Sequence, residues 1–143
     1  MSRLRATRSV IERRKARLTR CALALPEVER SDVGDHIGYS LKATRFAWIL
    51  DDHHGDGRVA LHAKGERGAN SALAEVHPDR YHLPKYVAKQ GWIGLWLDLP
   101  DCDPAEAEAL IRDAWRLAAP KRLLREADAA GSKKASRRTT RGR

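Results

Sequence analysis

At 143 residues, 42% hydrophobic and 33% charged with a formal net charge of +9, the chain has the length of one domain, and a body of that size buries roughly 65% of the surface its unfolded form exposes. Such a core folds without metal or disulfide, and Cys21 and Cys102 stand far apart in no metal-ligand spacing, so both are expected as free thiols of a reducing compartment. No stretch approaches the ~18 apolar residues of a membrane span, and the apolar run Cys21 to Leu25 is too short for a secretory leader; the expected address is the cytoplasm.

In chain order, residues 1–8 read as a flexible basic start, followed by a helix from Ser9 to Leu25. Ile11, Leu18, Cys21, Ala22 and Leu25 share one face, Arg13, Arg14, Arg17 and Arg20 the other, and Pro26 ends it. The Arg-rich start also has the look of an organellar transit peptide, but the apolar stripe runs unbroken to Leu25, which favours a helix. The acidic stretch Glu27 to Asp35 reads as a connection. Ile37 to Leu41 and Thr44 to Leu50 read as strands. The turn formers of Asp51 to Gly57 should join the second to Arg58–Ala63 as a hairpin. Asn70 is placed to cap a short helix to Val76, with Pro78 beyond. Tyr81 to Gln90 is irregular, with room for a further strand.

Trp92 to Leu97 is the clearest remaining strand; its two apolar faces suggest a covered or central position. Asp103-Pro104-Ala105-Glu106 is a strong helix start, with Asp103 as cap, Pro104 in the first turn and Glu106 in capping-box position. Ala107, Leu110, Ile111, Ala114, Trp115 and Ala118 form its buried face, and Pro120 kinks or restarts the helix, which continues to about Ala130. Interleaved hairpins and helices argue for an α+β domain over 9–130 rather than a doubly wound parallel sheet.

The positive charge belongs to the ends. Met1 to Arg20 carries eight Arg/Lys against one Glu, Ser132 to Arg143 carries six and no acid, and the body between holds fourteen basic against eighteen acidic residues. The last thirteen residues have nothing larger than alanine to bury, so 131–143 reads as a disordered basic tail, suited to sequence-independent phosphate contact or to solubility alone.

Among candidate sites, Asp52, His54 and Asp56 before Gly57 mimic the opening of a calcium loop. The twelfth position, where a bidentate Glu closes such a cage, is Ala63. A hairpin turn explains the composition better, no metal site is expected, and calcium or zinc should not shift the melting temperature. No nucleophile elbow, P-loop, zinc-protease helix motif or dinucleotide fingerprint occurs. His36, His62, His77 and His82 are scattered, so no catalytic residue or cofactor is expected. Trp48, Trp92, Trp96 and Trp115 read as core or half-buried sheet residues. Tyr81 and Tyr86, near Lys85 and Lys89, are the better fit to a platform on which bases stack.

His36-Ile37-Gly38-Tyr39-Ser40-Leu41, Phe46-Ala47, Gly91-Trp92-Ile93-Gly94 and Ala114-Trp115-Arg116-Leu117-Ala118-Ala119-Pro120-Lys121-Arg122 resemble the MmcQ/YjbR family in order and spacing, over roughly Leu18 to Leu124. The Gly-Trp strand and the Ala-Pro-Lys-Arg ending are the most specific pieces. The resemblance implies a compact α+β fold akin to type III secretion chaperones, an antiparallel sheet flanked by helices in the order α-β(3)-α-β(2)-α. It also implies DNA binding through a double-wing motif, a label that rests largely on fold. Ile37 stands where the family commonly has Pro, and Thr44 where it commonly has Lys. The expected protein is therefore a non-catalytic, weakly sequence-selective DNA-binding monomer, with Lys42, Arg45, Lys85, Lys89, Lys121 and Arg122 meeting phosphates. The alternative is a protein-interaction or chaperone-like module without a nucleic-acid role.

Overall fold

The computed structural model describes residues 4–130; the tail expected over 131–143 lies outside them. Helix α1 (Arg8–Leu23) starts where the Thr7 hydroxyl accepts the Val10 N–H at 3.3 Å. Its buried stripe is Ile11, Lys15, Leu18, Thr19 and Ala22, the i, i+4, i+7 spacing of a core-facing helix. Strands β1 (Val28–Val33), β2 (His36–Leu41), β3 (Thr44–Asp51) and β4 (Val59–Ala63) follow as successive antiparallel hairpins. Helix α2 (Ala69–Val76), β5 (Tyr81–His82), β6 (Ile93–Trp96) and α3 (Pro104–Ala118) come next, and α4 over 121–130 restarts after Pro120. The result is one α+β domain with a six-stranded antiparallel sheet in the order β1-β2-β3-β4-β6-β5.

Three expectations are corrected, the third at the start of α3. The stretch Glu27 to Asp35, read as a connection, contains β1. An edge strand pairs on one side only and carries Glu29, Arg30 and Asp32 outward, so it lacks the apolar alternation that marks a strand in sequence. Four strands thus precede α2 instead of three. Asn70 does not cap α2, because Gly68 occupies that position. Its buried amide donates instead to the Ala88 and Trp92 carbonyls at 2.8 and 2.9 Å, tying α2 to the loop before β6. The short strand suspected between Tyr81 and Gln90 exists as β5, and β6 lies inside the sheet between β4 and β5.

One face of the sheet is the core. Ile37, Tyr39, Ala47, Ile49, Leu61, Ala63, Ile93, Leu95 and Tyr81 alternate inward and meet Leu18, Ala22, Ile111, Ala114 and Trp115 from α1 and α3. A bulge lets Phe46 join them, since β3 has one more residue than β2 between the pairs Ser40↔Arg45 and Tyr39↔Ala47. Asp103 caps α3 through Ala105 N–H at 2.9 Å. Glu106, expected in a capping box, instead pairs with Arg80 at 2.8 Å.

Two buried carboxylates close the ends of the core. Asp51 receives Arg8 at 2.6 and 3.2 Å and Lys15 at 3.0 Å. Asp98 receives Arg58 at 2.8 and 3.0 Å and the Val59 N–H at 3.1 Å. Burial alone would raise both acids, but these bonds outweigh it and hold each below the ordinary carboxylate value.

Candidate functional site

The other face of the sheet carries polar and aromatic side chains. Its central row follows from the register: Gly38 opposes Trp48, Trp48 opposes His62, His62 opposes Gly94, and Gly94 opposes His82. The two glycines make room for their neighbours. A Cβ on Gly38 would collide with the Arg45 guanidinium, and one on Gly94 with the His82 ring. Arg45 consequently lies flat over Trp48, 3.8 Å from the ring centroid, with its Nε and Nη1 shielded from solvent and without a hydrogen-bond partner.

His82 crosses Gly94 to place its Nε2 2.9 Å from that of His62. The ring centroids are 5.0 Å apart, close to that distance plus two ring radii. The two nitrogens therefore face each other and share one hydrogen bond. Burial first, then the His82 charge, pushes His62 down to about 4; burial and then Arg58 do the same to His82. Both rings are neutral near pH 7, one nitrogen donating and the other accepting. Among the described residues no three His, Cys, Asp or Glu side chains gather as a metal site.

His82 also stacks on Trp96 at 4.0 Å, and Arg58 sits 3.7 Å from the same ring centroid. Two groups that close cannot share a face, so Trp96 is sandwiched and offers no free surface for stacking. Leu50, Ala60, His62 and Trp96 form the floor of a cleft of about 470 Å³. Its walls are His53, His54 and Asp56 from the β3–β4 connection, and Leu83 to Tyr86 after β5. Tyr86 is 93% exposed. The chain around it closes a three-residue turn, Val87 N–H to Lys85 C=O at 2.8 Å, with φ 70° at Tyr86. That is the rarer, strained form of γ-turn. Next to the 53–56 segment, Arg5 donates to the Gly57 carbonyl at 3.2 Å and Ala6 N–H to Asp98 C=O at 2.8 Å.

The residues expected to meet phosphates do not all come together. Arg45 lies on this open face, and Lys85 lines the cleft with Lys89 four residues on, both exposed. Lys42, at φ 53° in the β2–β3 turn, is at the opposite end of β3 from the 53–56 wall. Lys121 and Arg122 open α4, whose Leu123 is buried in the core between sheet and helices. Arg122 is engaged by Glu27 at 3.0 Å and Glu126 at 3.5 Å. Of the two tyrosines, Tyr81 is buried and only Tyr86 projects. Arg58, His62 and His82 were missed, because what joins them is strand register across β4, β5 and β6. In the acidic turn, Asp52 accepts the Gly57 N–H at 2.7 Å and Asp56 the Arg58 N–H at 2.9 Å, and Ala63 faces the core.

The basic face of α1 is largely committed to the fold. Arg14 donates to the Leu97 and Leu99 carbonyls, both at 2.7 Å, and Arg17 pairs with Glu108 at 2.8 Å. Together with Arg8 and Lys15 on Asp51, this leaves Arg13 and Arg20 as the exposed cations of α1 outside its ion pairs. Burial pushes the free Cys21 and Cys102 thiols above their ordinary value, so neither is a thiolate at neutral pH. No described helix is long and apolar enough to cross a membrane.

No protein-family model matches the chain, and no curated protein matches it. Among solved structures it is similar to the crystal structure of Deinococcus radiodurans protein DR2400, a DUF419 domain, with TM-score 0.56 and 19% identity over 70% of this chain and 74% of that one. The likeness shows the fold alone.

Proposed function

We propose that the protein is a non-catalytic nucleic-acid-binding module, DNA being the expected polymer, and that it uses the open face of its sheet. The observation that carries this reading is the cleft: an aromatic floor with Lys85 and an exposed Tyr86 on one wall, and Arg58 held beneath. The sequence resemblance to MmcQ/YjbR proteins supports it. Arg58 gives Nε and Nη2 to Asp98, which leaves Nη1 for an anionic oxygen. The basic start of the chain reaches the same neighbourhood through Arg5. Non-specific affinity comes from Lys and Arg on phosphate and falls with salt. The test is fluorescence anisotropy of the full chain on labelled DNA at two salt concentrations, comparing Lys85→Glu/Lys89→Glu with Lys121→Glu. Loss of affinity confined to the first variant supports the cleft; equal loss or none moves the contacts elsewhere.

A second reading, a protein partner, is favoured by a groove of about 520 Å³ between α2 and α3. Leu73, Ile93, Leu110 and Leu117 line it, and Lys64, Glu66, Asp113 and Arg116 ring it with both charges. Leu117 is 41% exposed, so Leu117→Asp should leave the fold and DNA binding intact while abolishing any complex formed there.

A further inference from the structure

We infer that the cleft receives an unpaired nucleobase, so that the polymer bound there is single-stranded; this rests on the nucleic-acid reading above. The cleft's volume of about 470 Å³ falls within the ~300–1,000 Å³ of small-ligand pockets, the scale of one nucleotide rather than of a duplex. Its floor lies below two walls, and a base inside a duplex presents only its edge to a groove. A base reaches Leu50, Ala60 and His62 only when turned out of a stack.

The choice of platform follows by elimination. Trp96 has His82 and Arg58 against its two faces, Trp48 has Arg45 over one, and Tyr81 is buried. Tyr86 alone among these rings stands in solvent, held at the cleft wall by the tight turn at φ 70°. A side chain of that size, placed outward at a backbone angle its residue type disfavours, is a feature the core does not require. Lys85 precedes it on the same wall, so a base against Tyr86 brings its phosphate to an ammonium group. His62 and His82, held neutral by burial, offer ring N–H and N groups to a base's edge, while Arg58 beside them keeps Nη1 for an anionic oxygen of the same nucleotide.

The test uses the full chain at about 0.3 M salt, where phosphate contacts are weakened. The probes are a labelled mixed-sequence single strand, its duplex, and a nucleoside monophosphate as competitor. The single strand should bind more tightly than the duplex. Tyr86→Ala should weaken the single strand about tenfold, within the range for one stacked base, Tyr86→Phe should retain it, and duplex binding should change for neither. Duplex binding as tight as single-strand binding, with both indifferent to Tyr86→Ala, overturns the inference while the nucleic-acid reading survives. Binding of neither polymer defeats both. Displacement by the monophosphate at the strand's own affinity overturns the single-strand assignment in favour of a free nucleotide.

Discussion

His62 and His82 meet nitrogen to nitrogen at 2.9 Å across Gly94, three neighbouring strands bringing together residues twenty apart in the chain. Both rings are held down to about 4 from an ordinary 6.5. The unfolded chain therefore binds more protons than the folded one between those values, and stability is lost as pH falls from 6.5 toward 4. Asp51 and Asp98, held below 3.8, add their own loss only at still lower pH. Thermal unfolding across this range should show the melting temperature falling between pH 6.5 and 4, and a flatter curve for His62→Gln/His82→Gln.

Gly94→Ala places a methyl group against the His82 ring. Overpacking of this kind typically costs ~1–3 kcal/mol. Urea unfolding should show that loss, and His82→Ala in the same chain should recover part of it; additive losses would mean that the ring does not rest on Gly94.

Asp98 is 1% exposed and holds both Arg58 and the start of β4. Removing one partner of a buried pair strands the other, at ~3–5 kcal/mol. Asp98→Ala should lose about that much in denaturant unfolding. It should also release Arg58 from its stack on Trp96, visible as a change in tryptophan fluorescence.

Much of this architecture is legible in the sequence, and the failures have physical causes. The α3 start is readable because Asp103 and Pro104 act locally, and the Trp92 to Leu97 strand because its residues are apolar on both faces. β1 is not readable, since a charged edge strand imitates a loop. Lys15 looked like one more cation in a basic run, yet it points into the core because Asp51, thirty-six residues away, neutralises it. The cleft was half visible: Lys85 and Tyr86 adjoin in sequence, whereas Arg58, His62 and His82 converge only through β-sheet pairing.

Each phosphate contact contributes about 0.9 to the salt slope on duplex DNA and about 0.7 on a single strand. Lys85→Glu/Lys89→Glu should lower the slope by at least one unit if both lysines touch phosphate, measured by anisotropy from 50 to 200 mM salt (about that range). An unchanged slope removes these lysines from the interface.

Tyr86 occupies a conformation that costs a non-glycine residue ~1–3 kcal/mol. Tyr86→Gly should therefore stabilise the fold by up to about 2 kcal/mol after the greater flexibility of unfolded glycine is subtracted, while weakening nucleic-acid binding. Stability and binding moving in opposite directions is the signature of a strained functional turn.

β5 is two residues long and forms the edge of the sheet beyond β6. The loop bearing Lys85 and Tyr86 hangs from this least-paired strand, with the Arg80–Glu106 ion pair beside it at 2.8 Å. Local opening there disrupts few hydrogen bonds, so amide protons of Tyr81 and His82 should exchange long before those of Ile49 and Leu61. Opening of this edge lifts Tyr81 from the rim of the core and His82 from Trp96, so the cleft wall moves on a timescale set by those two rings and not by unfolding of the whole sheet.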